Sequence, residues 1–156
     1  MSERERAPLS RELAAAAGAI EALAAGRSLQ GALENASLAA LSPASRAAVR
    51  DMAFSTCRRL GLLRALAGQL NGRPPAPALA ALQWVALDQL IEPLRAEGII
   101  VDQAVAAAKK NVGMAPAAGF LNATLRRFLR ERQALLPAAA ALDEAQWNFP
   151  SWWIKQ

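Results

Sequence analysis

Residues 119–132 read GFLNATLRRFLRER, and the spacing of their apolar side chains decides how this part of the chain folds. At about 100° per residue, Phe120, Leu121, Thr124, Leu125, Phe128 and Leu129 fall within one half of a helix circumference. Asn122, Arg126, Arg130 and Gln133 fall in the other half. The spacing predicts a helix that buries one side and presents cations on the other. A single exposed arginine is ordinarily part of a solvated face, so the surrounding charges decide whether this stripe means more.

Working outward, the composition points the same way. A chain of 156 residues makes one domain or two small subdomains and is long enough to bury a sizeable core. About a quarter of it is alanine, β-branched residues are few, and no stretch alternates like a strand, so an all-α fold is expected. Alanine buries little area, which leaves the scattered Leu, Ile, Val, Phe and Trp to supply most of the burial energy.

The formal net charge is +5, and its distribution is uneven. Residues 45–73 hold six arginines and one acid, and residues 109–132 hold six cations and one acid, so each stretch carries +5. Between them, Asp88, Glu92, Glu97 and Asp102 stand against Arg95 alone. If the two basic stretches lie side by side in the fold, they form a positive patch suited to a polyanion such as RNA or DNA.

Other chemistries are poorly supplied. With no histidine and one cysteine, zinc sites built from His and Cys clusters and a disulfide within the chain are excluded, and a reducing cytoplasm fits. Cys57 shares the apolar phase of Val49, Ala53 and Leu60, which reads as a structural thiol with no histidine to activate it. MSERERAPLS is not a secretion signal. The longest uncharged runs, 74–87 and 111–125, fall short of the roughly 20 residues a membrane helix needs. A soluble, cytoplasmic protein without metal or membrane partners is expected.

Punctuation residues divide the chain. Ser10 is placed to cap a helix reaching about Ala25, with Gly26 as its stop. Ser28 is placed to cap a shorter helix through Leu29, Leu33 and Ala36, and SPAS at 42–45 puts proline in the first turn of a third helix running to about Leu60. Gly61 either bends that helix or begins another, which runs over 62–70 and stops at Asn71-Gly72. Pro74, Pro75 and Pro77 cannot sit inside a helix, so the clearest internal boundary lies between Gly72 and Pro77. The second half predicts helices over 78–91, 101–111 and about 116–135, then a loop or weak helix at 137–145. The chain closes on WNFPSWWIKQ, in which Trp147 and Phe149 are suited to closing the core and 150–156 to starting a connection to a further domain. A dimer contact through this aromatic tail is the competing reading.

GFLNATLRRFLRER followed by NFPSWWIKQ resembles the NusB-like N-terminal domain of the RsmB (Sun/Fmu) family of 16S ribosomal RNA cytosine-5 methyltransferases. Leu121, Asn122, Leu125 and Arg126 match that family's (I/V)NGVLR helix, with Ala123 and Thr124 in place of Gly and Val. Pro150, Ser151 and Trp152 match its HPSW segment, with Phe149 where histidine is usual. DMAFSTCRRLGLLRAL is similar to the FG-x-LR helix through Phe54 and Arg58, and ALQWVALDQLI agrees more weakly.

The resemblance implies a NusB-like fold of two packed three-helix subdomains, about 1–73 and 74–149, and an RNA-binding accessory role. The full-length enzyme would use S-adenosylmethionine and bind ribosomal RNA, with this domain holding the RNA for its own C-terminal methyltransferase domain. The chain itself has neither the glycine-rich strand-turn-helix nor the cysteine pair of that catalytic domain, so it is expected neither to bind the cofactor nor to catalyse methylation alone. Arg126, Arg127, Arg130, Lys109 and Lys110 are the expected phosphate contacts, extended by Arg50, Arg58 and Arg59 if the halves pack suitably. Asn122 is suited either to a base or sugar, or to neighbouring backbone or a helix end. A stand-alone NusB-type antitermination factor and a helical protein-interaction module are the alternatives.

Overall fold

The computed structural model describes residues 6–148, apart from the side chains of 36, 37, 144 and 147. The segment 149–156, with the Pro150, Ser151 and Trp152 motif, and the Trp147 and Phe149 side chains proposed to close the core, lie outside the described residues.

Every regular element among the described residues is helical. They are α1 (Leu9–Ala24), α2 (Leu29–Leu33), α3 (Ala36–Ala39), α4 (Pro43–Arg58), α5 (Leu60–Leu70), α6 (Pro77–Ile91), α7 (Glu97–Lys109), a 3-10 turn (Ala115–Ala117), α8 (Ala118–Ala140) and α9 (Asp143–Trp147). No helix among them is long and apolar enough to cross a membrane.

α6 is the centre of the packing. Leu79, Leu82, Val85, Leu87 and Leu90 are buried around its circumference, as expected of a helix that is apolar on every side. It touches α1, α4, α5, α7 and α8. α1 packs on α4, α6 and α7, and α5 packs on α8 and α9, so one apolar core runs through both halves of the chain. The polar residues buried in α6 are answered. The Gln83 amide exchanges hydrogen bonds of 2.8 and 2.9 Å with Asn71 and donates to Thr124 Oγ1 at 3.1 Å.

Several helix ends follow the sequence. Ser28 and Ser42 accept hydrogen bonds from Gly31 N and Ser45 N. Gly26 takes φ +94°, and the bonds Arg27 N to Ala22 O (2.9 Å) and Gly26 N to Leu23 O (3.0 Å) close a Schellman motif.

Other ends differ. Ser10 is not a cap: α1 begins at Leu9, so Ser10 lies in the first turn, where its backbone N–H donates to Gln103 Oε1 on α7 at 3.1 Å. The short helix after Ser28 stops at Leu33, with α3 a separate turn. α4 and α5 break at Arg59 (φ −108°, ψ 12°). Asn148 closes that break, its Oδ1 accepting from Gly61 N and its Nδ2 donating to Cys57 O at 3.2 Å. It does so with φ 58°, a left-handed conformation that asparagine tolerates. Of the stretch expected as loop or weak helix, residues 137–140 are helical: α8 bends at Glu131 (φ −111°, ψ 16°) and continues past Pro137, with Leu135 and Ala139 buried in the core.

Candidate nucleic-acid interface

α7 and α8 run antiparallel, since Arg126 bonds Asp102 while Lys109 shares a groove with Ala118 and Gly119. The turn between them is set by Asn111, whose Oδ1 accepts from Gly113 N (2.9 Å) and Met114 N (3.1 Å), with Met114 buried beneath. The reversal leaves a groove of about 400 Å³, into which Asp102, Lys109 and Asn122 all face. α8 seats itself through Leu121, Leu125 and Phe128, each fully buried, which turns Asn122, Arg126 and Arg130 outward as a row spanning about 12 Å.

Within that row the partners differ. Among the described residues, the Asn122 side chain bonds neither backbone nor a helix end; its Oδ1 accepts from Arg126 Nε at 3.0 Å. Arg126 Nη2 also reaches Asp102 Oδ1 at 3.3 Å, an exposed pair of the kind that contributes about 1 kcal/mol or less. Arg127 pairs with Glu131 at 2.7 Å and donates to Gln69 O at 3.4 Å, pinning α8 on α5. Lys110 Nζ donates to Ser10 Oγ at 3.3 Å. Arg130 and Lys109 are exposed and make no hydrogen bond or ion pair within the described residues.

The first basic stretch divides. Its α5 portion meets α8, but α4 packs on α1, α6 and α5. Arg50 and Arg58 are exposed on α4 and line two other clefts, Arg50 beside Arg46 and Arg58 beside Arg6, Arg59 and Arg95. Arg59 bridges two carboxylates, Asp88 at 3.3 Å and Glu92. Asp88 is buried, and that burial pushes its carboxyl above the usual range, although Ser55 and the Arg59 charge pull the other way. Arg132, counted with the α8 cations in the sequence, is also engaged. It donates to Glu97 Oε1 at 3.0 Å and to Leu90 O and lies 5.2 Å from the Phe128 ring centroid.

Two features escaped the sequence reading. Arg64 lies over the Trp84 ring, 5.2 Å from its centroid, and the Arg59–Asp88 pair spans two halves of the chain. Neither spacing has a local period; an unpaired Asp88 in an otherwise apolar helix was the one available signal.

No individually curated protein matches the chain. The NusB family pattern matches residues 9–130, which take in the core from α1 to the Arg130 end of the α8 row, and the chain belongs to the NusB family.

Proposed function

We propose that the chain is an RNA-binding domain whose contact surface is centred on the α7–α8 groove, with Lys109 and Arg130 as its primary phosphate contacts. The observation that carries this reading is that Lys109 lines the groove beside Asn122, and Arg130 ends the α8 row that starts at Asn122, both without carboxylate partners among the described residues. Ion pairing costs nothing to break there, so their charge is free for a polyanion. Arg126, Arg127 and Lys110 join by exchanging weak surface contacts, and Arg50 and Arg58 offer a separate basic edge on α4. Arg59 serves the fold in this reading, because releasing it would strand buried Asp88.

The resemblance at Asn122 and at Pro150, Ser151 and Trp152 supports the finer assignment, an accessory domain that positions ribosomal RNA for an attached cytosine-5 methyltransferase domain. S-adenosylmethionine belongs to that attached domain, not to the grooves described above. Family membership is equally compatible with a stand-alone NusB-type antitermination factor; the PSW segment favours the methyltransferase.

Titration with single-stranded RNA between about 50 and 200 mM salt tests the RNA reading, with affinity expected to fall steeply as counterion release weakens. Binding that ignores salt, or that a neutral polymer reproduces, would overturn it in favour of a protein-interaction module. Sequencing the native reading frame past Gln156 tests the finer assignment, which requires a methyltransferase domain there.

A further inference from the structure

α5, α6 and the proline loop enclose a second groove, of about 310 Å³, at the lower end of the range for ligand pockets, about 300 to 1,000 Å³. Its walls are the Trp84 indole, the Pro74 and Pro75 rings and the backbone of Gly68. No carboxylate lines it. Arg64 lies over Trp84, and Arg73 directly precedes Pro74; neither has an acidic partner among the described residues.

We propose that this groove holds one unpaired base of a bound RNA strand, stacked in the Arg64–Trp84 layer with its phosphates toward Arg64 and Arg73. The proposal rests on the RNA-binding reading above and adds a base-dependent subsite to it. Flat, apolar surface flanked by unneutralised arginines matches a nucleotide, which is flat and apolar on its base faces and anionic at its phosphate. Polar groups also stand at the right place. Gln83 spends both amide hydrogens on Asn71 and Thr124, whereas Asn71, half-buried at the groove, keeps one N–H and one acceptor position beyond its exchange with Gln83. That leaves a donor–acceptor pair facing the edge of a base.

The groove also continues the proposed contact surface. Arg127 donates to Gln69 O, next to Gly68, while its neighbour Arg126 reaches α7 on the other side of α8. A strand crossing α8 from the α7 groove would therefore meet Arg126 and then Arg127, which is anchored one residue from Gly68 of the Trp84 groove.

Gly68 supplies a clean block. A Cβ there meets nothing within 4 Å and Gly68 is an exposed lining residue, so Gly68→Leu is expected to extend into the groove, and it replaces a poor helix former with a good one. The experiment compares a single-stranded RNA oligonucleotide with an abasic analogue of equal length and charge, by fluorescence anisotropy at fixed salt. The wild-type chain should prefer the base-bearing strand by about tenfold. Gly68→Leu and Trp84→Leu, each checked for a wild-type helical spectrum, should lose that preference while keeping affinity for the abasic strand. A wild-type preference that survives in Gly68→Leu, or a wild-type chain that binds both strands equally, would overturn the subsite and leave phosphate binding standing. A wild-type chain that binds neither strand would overturn the RNA reading and the subsite with it.

Discussion

Arg59 and Arg132 differ from Lys109 and Arg130 in surroundings, not in charge. The first two converge on the C-terminal end of α6: Arg59 reaches Asp88 and Glu92, and Arg132 reaches Leu90 O and Glu97. Cations are favoured at such an end, where helix carbonyls lack partners and the helix dipole is negative. Lys109 also ends a helix, α7, and Arg130 directly precedes the bend of α8 at Glu131, yet among the described residues no acceptor claims either side chain. A basic stretch in sequence is therefore two populations in the fold, clamps and free charges, separated by what acceptors lie within reach.

Removing a clamp should cost stability. Arg59→Ala is expected to have the largest effect, about 3 kcal/mol, because it leaves buried Asp88 without its countercharge. Chemical denaturation checks this, and adding Asp88→Asn should recover most of the loss. The pH dependence has a definite sign. Asp88 already has a raised carboxyl value in the folded chain, so its contribution favours folding at low pH and declines as pH rises through that raised value. Arg59→Ala removes an influence that lowers it, so the loss should be greatest at neutral pH and shrink on acidification. An Arg59→Ala loss that stays constant across that range would mean Asp88 is not the group responsible.

Arg132→Leu should cost less, about 2 kcal/mol, since it strands the Leu90 carbonyl rather than a charge. Asn148→Ala should cost about 1 kcal/mol by uncapping the break between α4 and α5. Thermal unfolding ranks the two, and a cost for Asn148→Ala above that of Arg132→Leu would reverse the order argued here. The smallest effect has the opposite sign: Gly68→Ala, in the open interior of α5, should stabilise by about 0.5 to 1 kcal/mol.

Local signals made much of this fold legible. The Leu121, Leu125 and Phe128 face of α8, the Ser28 cap, the proline in the first turn of α4 and the Gly26 stop all depend on neighbours within one or two turns and are found as their spacing implies, whereas Phe120, expected on the buried face, is exposed near the start of α8. Ser10 misled because the acceptor that serves the start of α1 comes from Gln103, 93 positions away. Asn148 does the same for α5 across 87 positions. At Pro137 the sequence left loop and weak helix open, and tertiary burial of Leu135 and Ala139 kept the helix. In the candidate site, the helical row from Asn122 to Arg130 was readable from its period. Which of its cations are free was not, because Asp102, Gln69 and Glu97 approach from other helices or their ends.

The most direct test of the distinction is the salt dependence of RNA binding in two folded variants, Lys109→Glu/Arg130→Glu and Arg59→Met/Asp88→Asn. The slope of log affinity against log salt is expected to flatten by about 1.4 in the first, for two lost phosphate contacts on a single strand, and to stay at the wild-type value in the second. Equal slopes for wild type and Lys109→Glu/Arg130→Glu, or a flattened slope in Arg59→Met/Asp88→Asn, would contradict the assignment of free and clamped cations.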